Sequence, residues 1–415
     1  MAKFSRVWVV FLLFSGMLIF GIDRSNISVA STTMMRELHI NAGLMGIIFS
    51  AFFWSYTIFN LPAGIMADRY GPKKVYAIAS VLWSVATLLT GAVSSFAGFI
   101  VCRLGLGIGE SPVFPINAKV ANEYFPAERR ATVMTTCMAG YRLGLAACPV
   151  LIAAILVRWG WRASFYISGI ASLAWVALWV LTFPKQQVNP AVKSAKRVDR
   201  EIVFRLLSRR NTLALILIKF CCDYMGFLVV AWMPGYLVME RHFTILKMGV
   251  YASLPWMVAT IAPPLVGMFS DSLIVRGKSK TFARKLPLAL CQVCAASIVM
   301  LNWISTPIVV LWLLVLIAAL VGSFNAMLWT VPPELARTGE AATLGAIMNT
   351  SGSLAGMLSP MITGFVVMAT GSFTVAFIIA GAANILSALF TLFLLGRIEN
   401  EPQPVLEMQV AGSRT

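Results

Sequence analysis

Residues 64–74 read G-I-M-A-D-R-Y-G-P-K-K and join two long apolar segments through a short basic turn. A related stretch, G-M-F-S-D-S-L-I-V-R-G-K-S-K, occupies residues 267–280. In each stretch an aspartate follows the first glycine by four residues and a basic turn comes next, and the two starts lie 203 positions apart (267 − 64). The chain therefore carries the same junction between apolar segments once in each half.

A second pair of stretches supports an internal repeat. E-Y-F-P-A-E-R-R-A-T, residues 123–132, and E-L-A-R-T-G-E-A-A-T, residues 334–343, start 211 positions apart (334 − 123). The longest polar stretch, residues 184–210, lies between the halves. We therefore predict an N-terminal six-helix bundle over residues 1–183, a basic cytoplasmic linker over 184–210 with an amphipathic helix at 199–208, a C-terminal six-helix bundle over 211–397, and a short, polar, disordered tail over 398–415.

The composition is that of a membrane protein. Of 415 residues, 59% are hydrophobic and 12% are charged, about half the charged fraction of soluble domains, and the mean hydropathy is +0.83. An apolar helix of about 20 residues crosses a bilayer. We therefore predict an all-α membrane protein with twelve transmembrane helices in two six-helix bundles, at residues 7–33, 42–66, 74–94, 97–121, 131–157, 162–183, 211–238, 245–270, 284–304, 307–331, 342–369 and 372–396.

The excess of basic residues fits a membrane topology. The net charge is +17 and the pI about 9.9, a balance that also occurs in nucleic-acid-binding proteins. With both termini inside, the positive-inside rule explains it better, because the inner side receives Lys3, Arg6, Arg69, Lys73, Lys74, Arg129, Arg130 and the basic groups in 185–210 and 276–285, and the outer side only Arg36, Arg158, Arg162, Arg241 and Lys247. We expect a multi-pass protein of a bacterial cytoplasmic (inner) membrane, with a retained first helix, both termini cytoplasmic and no nucleic-acid partner.

The predicted spans lack the residues that enzymes and metal sites use. His39 and His242 both fall in predicted outer loops, and the chain has no Ser–His–Asp or H-E-x-x-H set. Cys291 and Cys294 have the spacing of metal ligands but lie in an apolar run without a second pair, so small core residues are the simpler interpretation. The sequence therefore indicates no enzyme, no cofactor and no metal.

Two full charges interrupt the fourth predicted span. Arg103 and Glu110 lie seven positions apart, which is two helical turns, so they share one face at a separation of about 10 Å. A charge at the bilayer centre costs about 2.5–3.5 kcal/mol on insertion scales. Because a direct ion pair is too long, each group needs another helix, water, a proton or a ligand as its partner.

The other spans contain few further charges. Asp23 and Arg24 are adjacent in the first span, Arg142 lies in the fifth, and the seventh contains Lys219 and Asp223 at i and i+4. Adjacent residues on a helix point about 100° apart, so Asp23 and Arg24 can serve different partners. With Arg103 and Glu110 the count is four basic and three acidic groups. One unmatched positive charge in a central cavity is what an anion-binding site needs.

The junction at residues 64–74 resembles the loop signature of the major facilitator superfamily, G-x-x-x-D-R-x-G-x-K/R-K/R. The resemblance implies two parallel six-helix repeats with a binding site between them near the midplane. It also implies that this loop latches the two halves together in one state, a conformational role for Gly64, Asp68, Arg69, Gly71, Lys73 and Lys74. The alternative is that these charges only fix the topology.

Three further motifs resemble the anion:cation symporters of that superfamily. They are Asp-Arg in the first span, S-A-F-F-W-S-Y-T-I-F-N-L-P-A-G at residues 50–64, and R-x-x-x-G-x-x-E-x-P-x-F-P at residues 103–115. The family includes bacterial transporters for galactonate, hexuronates, glucarate, tartrate and phthalate, and the animal proteins sialin and the vesicular glutamate transporters. The resemblance covers nearly the whole chain.

The resemblance assigns roles to the buried charges. It implies that Arg24 and Arg103 hold the substrate carboxylate, for which a planar guanidinium is suited. It implies that Asp23 and Glu110 bind the coupled protons, and that an arriving anion, by competing for the arginine, favours their protonation. The alternatives are a structural ion-pair network at Asp23 and Arg24, and a brace for the fourth helix near Pro112 at Glu110.

Three uncharged residues match further cavity positions of the family. The resemblance implies that Tyr56 contacts sugar hydroxyls and that Trp329 and Asn349 complete the cavity. Alternatively, Tyr56 and Trp329 are core or interface aromatics, and Asn349 makes a hydrogen bond between helices, as asparagine often does in membranes.

The chain departs from the galactonate-type members at three positions. Gly21 replaces a tyrosine, Gly140 replaces a glutamine, and Arg142 is an added charge. Arg142 either pairs with Asp223 or serves a second carboxylate. These departures suggest a dicarboxylate or an aromatic acid as ligand, in place of a plain monocarboxylic sugar acid.

We therefore expect a proton-coupled secondary symporter that imports an organic carboxylate by alternating access. The carboxylate is a sugar acid, an aldarate, a dicarboxylate or an aromatic acid, and sodium could replace the proton in principle. The expected partners are this small-molecule anion, protons and the lipid bilayer, with a monomeric protein. The alternatives are a proton-driven efflux antiporter and a membrane sensor that no longer transports.

Overall fold

The computed structural model describes residues 3–184, 200–337 and 340–398, and these are almost wholly helical. The predicted linker residues 185–199 and tail residues 399–415 lie outside the described residues. The first half contains α1 (Lys3–Leu38), α2 (Ala42–Tyr70), α3 (Pro72–Ala92), α4 (Phe96–Glu110), α5 (Val113–Tyr124) and α6 (Ala127–Thr182). Then follow α7 (Arg200–Leu207), α8 (Arg210–Met239), α9 (Ile245–Val275), α10 (Lys280–Ala295) with a 3₁₀ extension (Ala296–Asn302), α11 (Pro307–Leu328), α12 (Val331–Leu335), α13 (Ala341–Thr370) and α14 (Thr374–Leu389) with a π-helical end (Phe390–Leu394).

The described residues form eleven helical stretches that are long and apolar enough to cross a membrane. One of them, α6, has 56 residues and would measure ~84 Å if it were straight, far more than the ~30 Å of a bilayer core. It breaks at Gly160, where φ is 78° and ψ is 172°, and so supplies two spans. The prediction of twelve transmembrane helices in two six-helix bundles is confirmed.

The two halves repeat their turns as well as their helices. His39 and His242, 203 positions apart (242 − 39), follow α1 and α8, and both adopt positive φ angles of 54° and 55°. Histidine is one of the residues that tolerate the left-handed region. Gly71, between α2 and α3, has φ 85°, a conformation in which a side chain would be strained. The backbone therefore requires the glycine of the 64–74 junction.

The first part of α6 packs directly on α1 through glycines. A Cβ atom on Gly21 would lie 2.5 Å from the Tyr141 carbonyl oxygen, and one on Gly140 would lie 2.4 Å from the Phe14 carbonyl oxygen. Neither distance leaves room for a side chain. The two departures from the galactonate-type pattern at these positions therefore reflect close helix packing, since neither glycine opens free space for a ligand.

The halves close against each other at the end of the bundle where α2 begins. A Cβ on Gly46 of α2 would lie 2.6 Å from the Pro360 carbonyl oxygen of α13, and one on Gly249 of α9 would lie 2.7 Å from the Pro149 carbonyl oxygen of α6. Contact between α2 and α13 continues to Phe53 and Gly356, whose Cβ would lie 2.7 Å from the phenyl ring.

Beyond that point the facing helices separate. Ile58 and Leu61 of α2 are 67% and 64% exposed, and Leu354 of α13 is 45% exposed. The separated end is the one at which α1 starts and α14 finishes, since an even number of spans returns the chain to the side on which it began. The structure is therefore open towards the end of the bundle that carries the described termini.

An ion-pair cluster fastens α7 to the second half. Glu340, which precedes α13 and is 3% exposed, accepts hydrogen bonds from Arg205 of α7 (2.7 Å) and from Arg209 (2.9 Å). Burial opposes the charge of Glu340, but the two arginines outweigh it and lower the pKa of this carboxyl. The amphipathic helix predicted at 199–208 corresponds to α7 (Arg200–Leu207). Phe204 and Leu207, three positions apart on one face, are 72% and 46% exposed.

Candidate functional site

Two arginines of the first half line one cavity between the halves. Arg24 of α1 and Arg103 of α4 share this small cavity of about 30 Å³ with Phe227 of α8 and Pro360 of α13. Their guanidinium carbons lie 4.9 Å and 5.0 Å from the centre of the Phe52 ring. The two positive charges are therefore no more than about 10 Å apart, and both lie against the same aromatic ring.

Aromatic rings hold Arg24 where an acid would be expected. Four ring centres lie within 5.5 Å of its guanidinium carbon, those of Phe20, Phe52, Phe53 and Tyr56. Among the described residues, neither Arg24 nor Arg103 forms an ion pair within 4 Å. Charges in an apolar cavity without a counter-ion are costly, so this arrangement can take an anion.

Glu110 ends α4 in the interior of the first half. It is 0% exposed, and neither carboxyl oxygen has a hydrogen-bond partner among the described residues. It interacts electrostatically with Arg24, Asp23 and Arg103. The alternative role, a brace for α4 near Pro112, finds no hydrogen bond at this carboxyl among the described residues.

Asp23 faces a different helix from Arg24, as their adjacent positions predict. It is 3% exposed, and its Oδ2 accepts a 2.8 Å hydrogen bond from Ser172 in the second part of α6. Its Oδ1 has no partner among the described residues. No ion pair joins Asp23 to Arg24 in this part of the chain, so the two do not form the structural network that was the alternative.

The three uncharged candidates lie in two places. Tyr56 is 7% exposed and stacks on Phe52 with ring centres 5.3 Å apart, so it packs beside Arg24 and lines neither cavity. Trp329 is 46% exposed and packs against Gly345. Trp329 directly follows α11, and the exposed Asn349 lies on α13. Both are in the separated part of the molecule, outside the cavity of the two arginines.

A larger cavity of about 190 Å³ adjoins the first. The two share Phe227 and Val230 in their walls. Arg142 of α6 lines the larger cavity from the first half, and Asp223 of α8 and Asn325 of α11 line it from the second. Arg142 does not pair with Asp223 here, because Asp223 forms its ion pair with Lys219. Of the two predicted roles of Arg142, contact with a second carboxylate is the one that this arrangement leaves open.

Lys219 is the ion-pair partner of Asp223. The Nζ of Lys219 lies 3.0 Å from Oδ1 and 2.8 Å from Oδ2 of Asp223, and it also donates to the side-chain oxygen of Asn325. The i,i+4 spacing allows this pair, although the partner considered for Asp223 from the sequence was Arg142. Asn325 was missed, although a lone amide in the apolar run of α11 is a signal that could have found it.

A family model described as Major Facilitator Superfamily matches residues 13–360, most of the chain. The chain belongs to the Major Facilitator Superfamily. It is 30% identical to the probable galactarate/D-glucarate transporter GarP of Escherichia coli (strain K12), over 91% of each chain. It is 31% identical to the probable sulfoacetate transporter SauU of Cupriavidus necator, over 90% of each chain. The predicted membership of an anion-transporting branch is confirmed.

Solved structures confirm the Major Facilitator fold. A bacterial homologue of the human lysosomal transporter Spinster, in an inward-facing and occupied conformation, matches with a TM-score of 0.77 at 16% identity. The match covers 95% of this chain and 96% of that one. The chain is therefore a multi-pass membrane protein whose relatives of similar sequence are named as transporters.

The superfamily loop at residues 64–74 makes its contacts inside the first half. Asp68 pairs with Lys119 (2.7 Å), which also approaches Glu123 (3.3 Å). Lys73 donates to the Phe183 carbonyl oxygen at 2.7 Å. The remaining signature residues make slighter contacts: Gly64 lies beside Pro115, Arg69 over the Tyr70 ring, and Lys74 is exposed.

The second half builds a similar triad with a different cation. Arg284 of α10 contacts Asp271 at 2.8 Å and Glu334 at 2.9 Å. Each aspartate stands at the end of the second helix of its half, as the repeat predicts. The repeat does not predict which cation pairs with each aspartate, because Lys119 comes from the fourth span of its half and Arg284 from the third span of its half.

Proposed function

We propose that the protein is a proton-coupled symporter that imports an organic carboxylate across a bacterial inner membrane, with both termini in the cytoplasm. The observation that carries the proposal is the pair Arg24 and Arg103. The two line a cavity between the halves, and no acid within 4 Å neutralises either one in the described chain. A carboxylate between them would supply the missing negative charge and accept charge-assisted hydrogen bonds.

Glu110 is the proposed coupling group, with Asp23 as the second. An ionised carboxylate that is buried without hydrogen bonds is costly, whereas the arginines close to Glu110 favour its charge. A substrate anion that occupies those arginines removes this support, so binding of the anion and of the proton assist each other. Linkage then requires that the proton raises the affinity for the anion by the same factor.

The packing of the halves supports alternating access. The glycine contacts at Gly46 and Gly249 seal one end, and the helices separate at the other. Under the proposed orientation the open end faces the cytoplasm, so this is the state from which substrate and proton leave. The loop at residues 64–74 latches the halves in the opposite state, in which the cytoplasmic end is closed.

Binding to the purified protein tests the anion site. We expect organic acids, galactarate and sulfoacetate among them, to raise the unfolding temperature of the wild type and to leave Arg103→Ala unaffected. A ligand at 100 times its Kd stabilises the folded state by about 2.7 kcal/mol. Stabilisation by cationic or neutral compounds alone would favour the efflux antiporter.

Counterflow in proteoliposomes tests the proton site. Glu110→Gln imitates a permanently protonated carboxyl, so we expect it to retain exchange of labelled for unlabelled acid. Accumulation driven by an imposed pH gradient should be lost, because the substituted group no longer releases a proton. Accumulation in Glu110→Gln at the wild-type level would remove Glu110 from the coupling path.

A further inference from the structure

We propose that Arg142 anchors a second anion subsite, so that the transported acid carries two anionic groups joined by an apolar or sparsely hydroxylated backbone. The inference rests on the proposed function, because the first anionic group is the one bound by Arg24 and Arg103. The second group then lies in the larger cavity, beside the ion pair of Lys219 and Asp223.

Arg142 has a positive charge that the described residues leave unneutralised. It lines the 190 Å³ cavity from the first half, and no described residue forms an ion pair with it within 4 Å. Asp223, the acid that lines the same cavity, does so from the second half. A ligand in this cavity therefore has the unpaired cation Arg142 on the side of the first half.

Asp223 is unavailable to Arg142 because other contacts fix it. Both of its carboxyl oxygens lie within 3.0 Å of the Lys219 Nζ. Behind the pair, α13 passes so closely that a Cβ on Gly352 would lie 2.1 Å from Asp223 Oδ2. Asp223 is thus held on Lys219 by packing as well as by charge.

The charges of this cluster suit one further anionic group. Arg142 and Lys219 are positive and Asp223 is negative, which leaves a net charge of +1 (two minus one). A single carboxylate or sulfonate brings this cluster to neutrality. Buried charges are tolerated when they are paired in this way.

The walls between the two anion subsites are apolar. The larger cavity is lined mainly by aliphatic and aromatic side chains, among them Leu145, Phe227, Val230, Ile317 and Val321. Hydroxyl groups against such walls would lose hydrogen bonds to water without replacement. At 190 Å³ the cavity is smaller than the roughly 300–1,000 Å³ typical of sites for drug-sized ligands. A short dianion with few hydroxyls fits these walls and this volume.

Two side chains belong to the walls of both cavities, so the cavities lie side by side between the halves. Phe227 and Val230, one helical turn apart on α8, belong to the walls of each. A molecule that extends past these two side chains would place one end at Arg24 and Arg103 and the other end at Arg142. A monoanion would occupy only one of the two subsites.

Matched acids separate the contributions of charge and of hydroxyls. Adipate and hexanoate share a six-carbon chain and differ by one carboxylate, and galactarate is adipate with four added hydroxyls. We would measure the Kd of each acid by calorimetry for the wild type, Arg142→Gln, Arg103→Ala and the control Arg158→Gln. Arg158 is exposed on the same helix, so its substitution removes an equal charge away from the cavity.

The expected result is a loss of preference, with weak binding retained. Wild type and Arg158→Gln should bind adipate about 10- to 100-fold more tightly than hexanoate, the range for one charge-assisted contact. In Arg142→Gln the ratio should fall to about 1 while the Kd of hexanoate stays within about twofold, which also shows that the variant is folded. Adipate should bind more tightly than galactarate to the wild type.

Other results would overturn the proposal at identifiable points. An unchanged adipate-to-hexanoate ratio in Arg142→Gln would remove the second subsite while the first survives. Tighter binding of galactarate than of adipate would contradict the sparsely hydroxylated backbone. If no acid binds the wild type, or if Arg103→Ala binds all three as the wild type does, the carboxylate site itself is wrong and the second subsite falls with it.

Discussion

At the scale of single residues, the candidate site is built from arginines that rings position. Phe52 lies within 5.0 Å of the guanidinium carbons of both Arg24 and Arg103. A ring face attracts a cation without neutralising it, so both arginines keep their charge for a ligand. An acid in the place of Phe52 would position them equally well but would compete with the substrate.

Substitution of Phe52 measures this contribution. We expect Phe52→Leu to weaken binding of an organic acid by about 5- to 30-fold, since each cation–π contact is worth roughly 0.5–2 kcal/mol. Phe49→Leu is the matched control, because Phe49 lines the same cavity but packs edge-to-face against Trp232. Calorimetry gives the Kd of the acid for both variants. If the two substitutions weaken binding equally, general packing matters more than the contact with the arginines.

The ion pair of Lys219 and Asp223 predicts a non-additive pair of substitutions. Both side chains are buried, at 5% and 8% exposure. Lys219→Met alone should destabilise the protein by about 3–5 kcal/mol because it leaves a buried charge unpaired, whereas adding Asp223→Leu should recover most of the loss. Reversible unfolding in detergent measures both, and a double variant no more stable than Lys219→Met would contradict the account.

The sequence identifies the charged residues of the site but not what surrounds them. Arg24, Arg103 and Glu110 stand out because charges are rare in membrane spans. The rings around Arg24 do not stand out, because phenylalanines fill membrane helices for many reasons. Tyr56 packs beside Arg24 and lines neither cavity, a difference that depends on side-chain direction, which the order of residues alone does not reveal.

At the scale of helices, close glycine contacts decide which side chains can exist. Gly21 and Gly140 lie where α1 and α6 touch, and each would bring a Cβ within 2.5 Å of a carbonyl oxygen. From the sequence, these glycines look like lost ligand contacts. The structure gives them a packing role, which depends on the distance between two helices and so cannot be read from either helix alone.

The ion-pair cluster of Glu340 with Arg205 and Arg209, which fastens α7 to the start of α13, should depend on pH. The arginines lower the pKa of Glu340, so its stabilising contribution is present above the ordinary glutamate pKa of about 4.3 and is lost as the pH falls through the lowered value. We expect Glu340→Gln to speed amide hydrogen exchange in residues 200–207 at pH 7. In the wild type, the exchange rate of these residues, corrected for intrinsic rates, should reach that of the variant only at acidic pH.

The control for the Glu340 cluster is Gln292, a buried polar residue on α10 that bonds to α14. Gln292 is 0% exposed and bonds Ser387 at 3.0 Å, so Gln292→Glu changes a buried group elsewhere in the second half. It should leave exchange in residues 200–207 unchanged. Equal acceleration in both variants would show a general loss of stability and would contradict a local effect of the Glu340 cluster.

At the scale of the whole molecule, two bundles meet at one end and part at the other. The internal repeat and the twelve spans follow from sequence patterns that recur about 203 residues apart. The end at which the structure is open does not follow from the sequence, because the inward-open and outward-open states of a transporter share one sequence. It depends on glycine contacts such as that of Gly46 with the Pro360 carbonyl oxygen at 2.6 Å.

A bulky residue at the sealed end should shift the conformational balance. Gly46→Leu cannot pack on α13, so we expect spin labels across this end to move apart and transport to fall sharply while the acid still binds. Gly267→Leu is the control, since nothing lies within 4 Å of a Cβ there. Unchanged label distances in Gly46→Leu would mean that this contact does not hold the end closed.

Proton-coupled import is tested by following the movement of protons and acid together. We would reconstitute the protein in liposomes that enclose a pH-sensitive dye and add a transported organic acid outside, with no imposed gradient. Symport predicts that the interior acidifies in the wild type, with Arg103→Ala liposomes giving the background from passive permeation. Acid uptake without acidification above that background, or with alkalinisation, would contradict proton-coupled import.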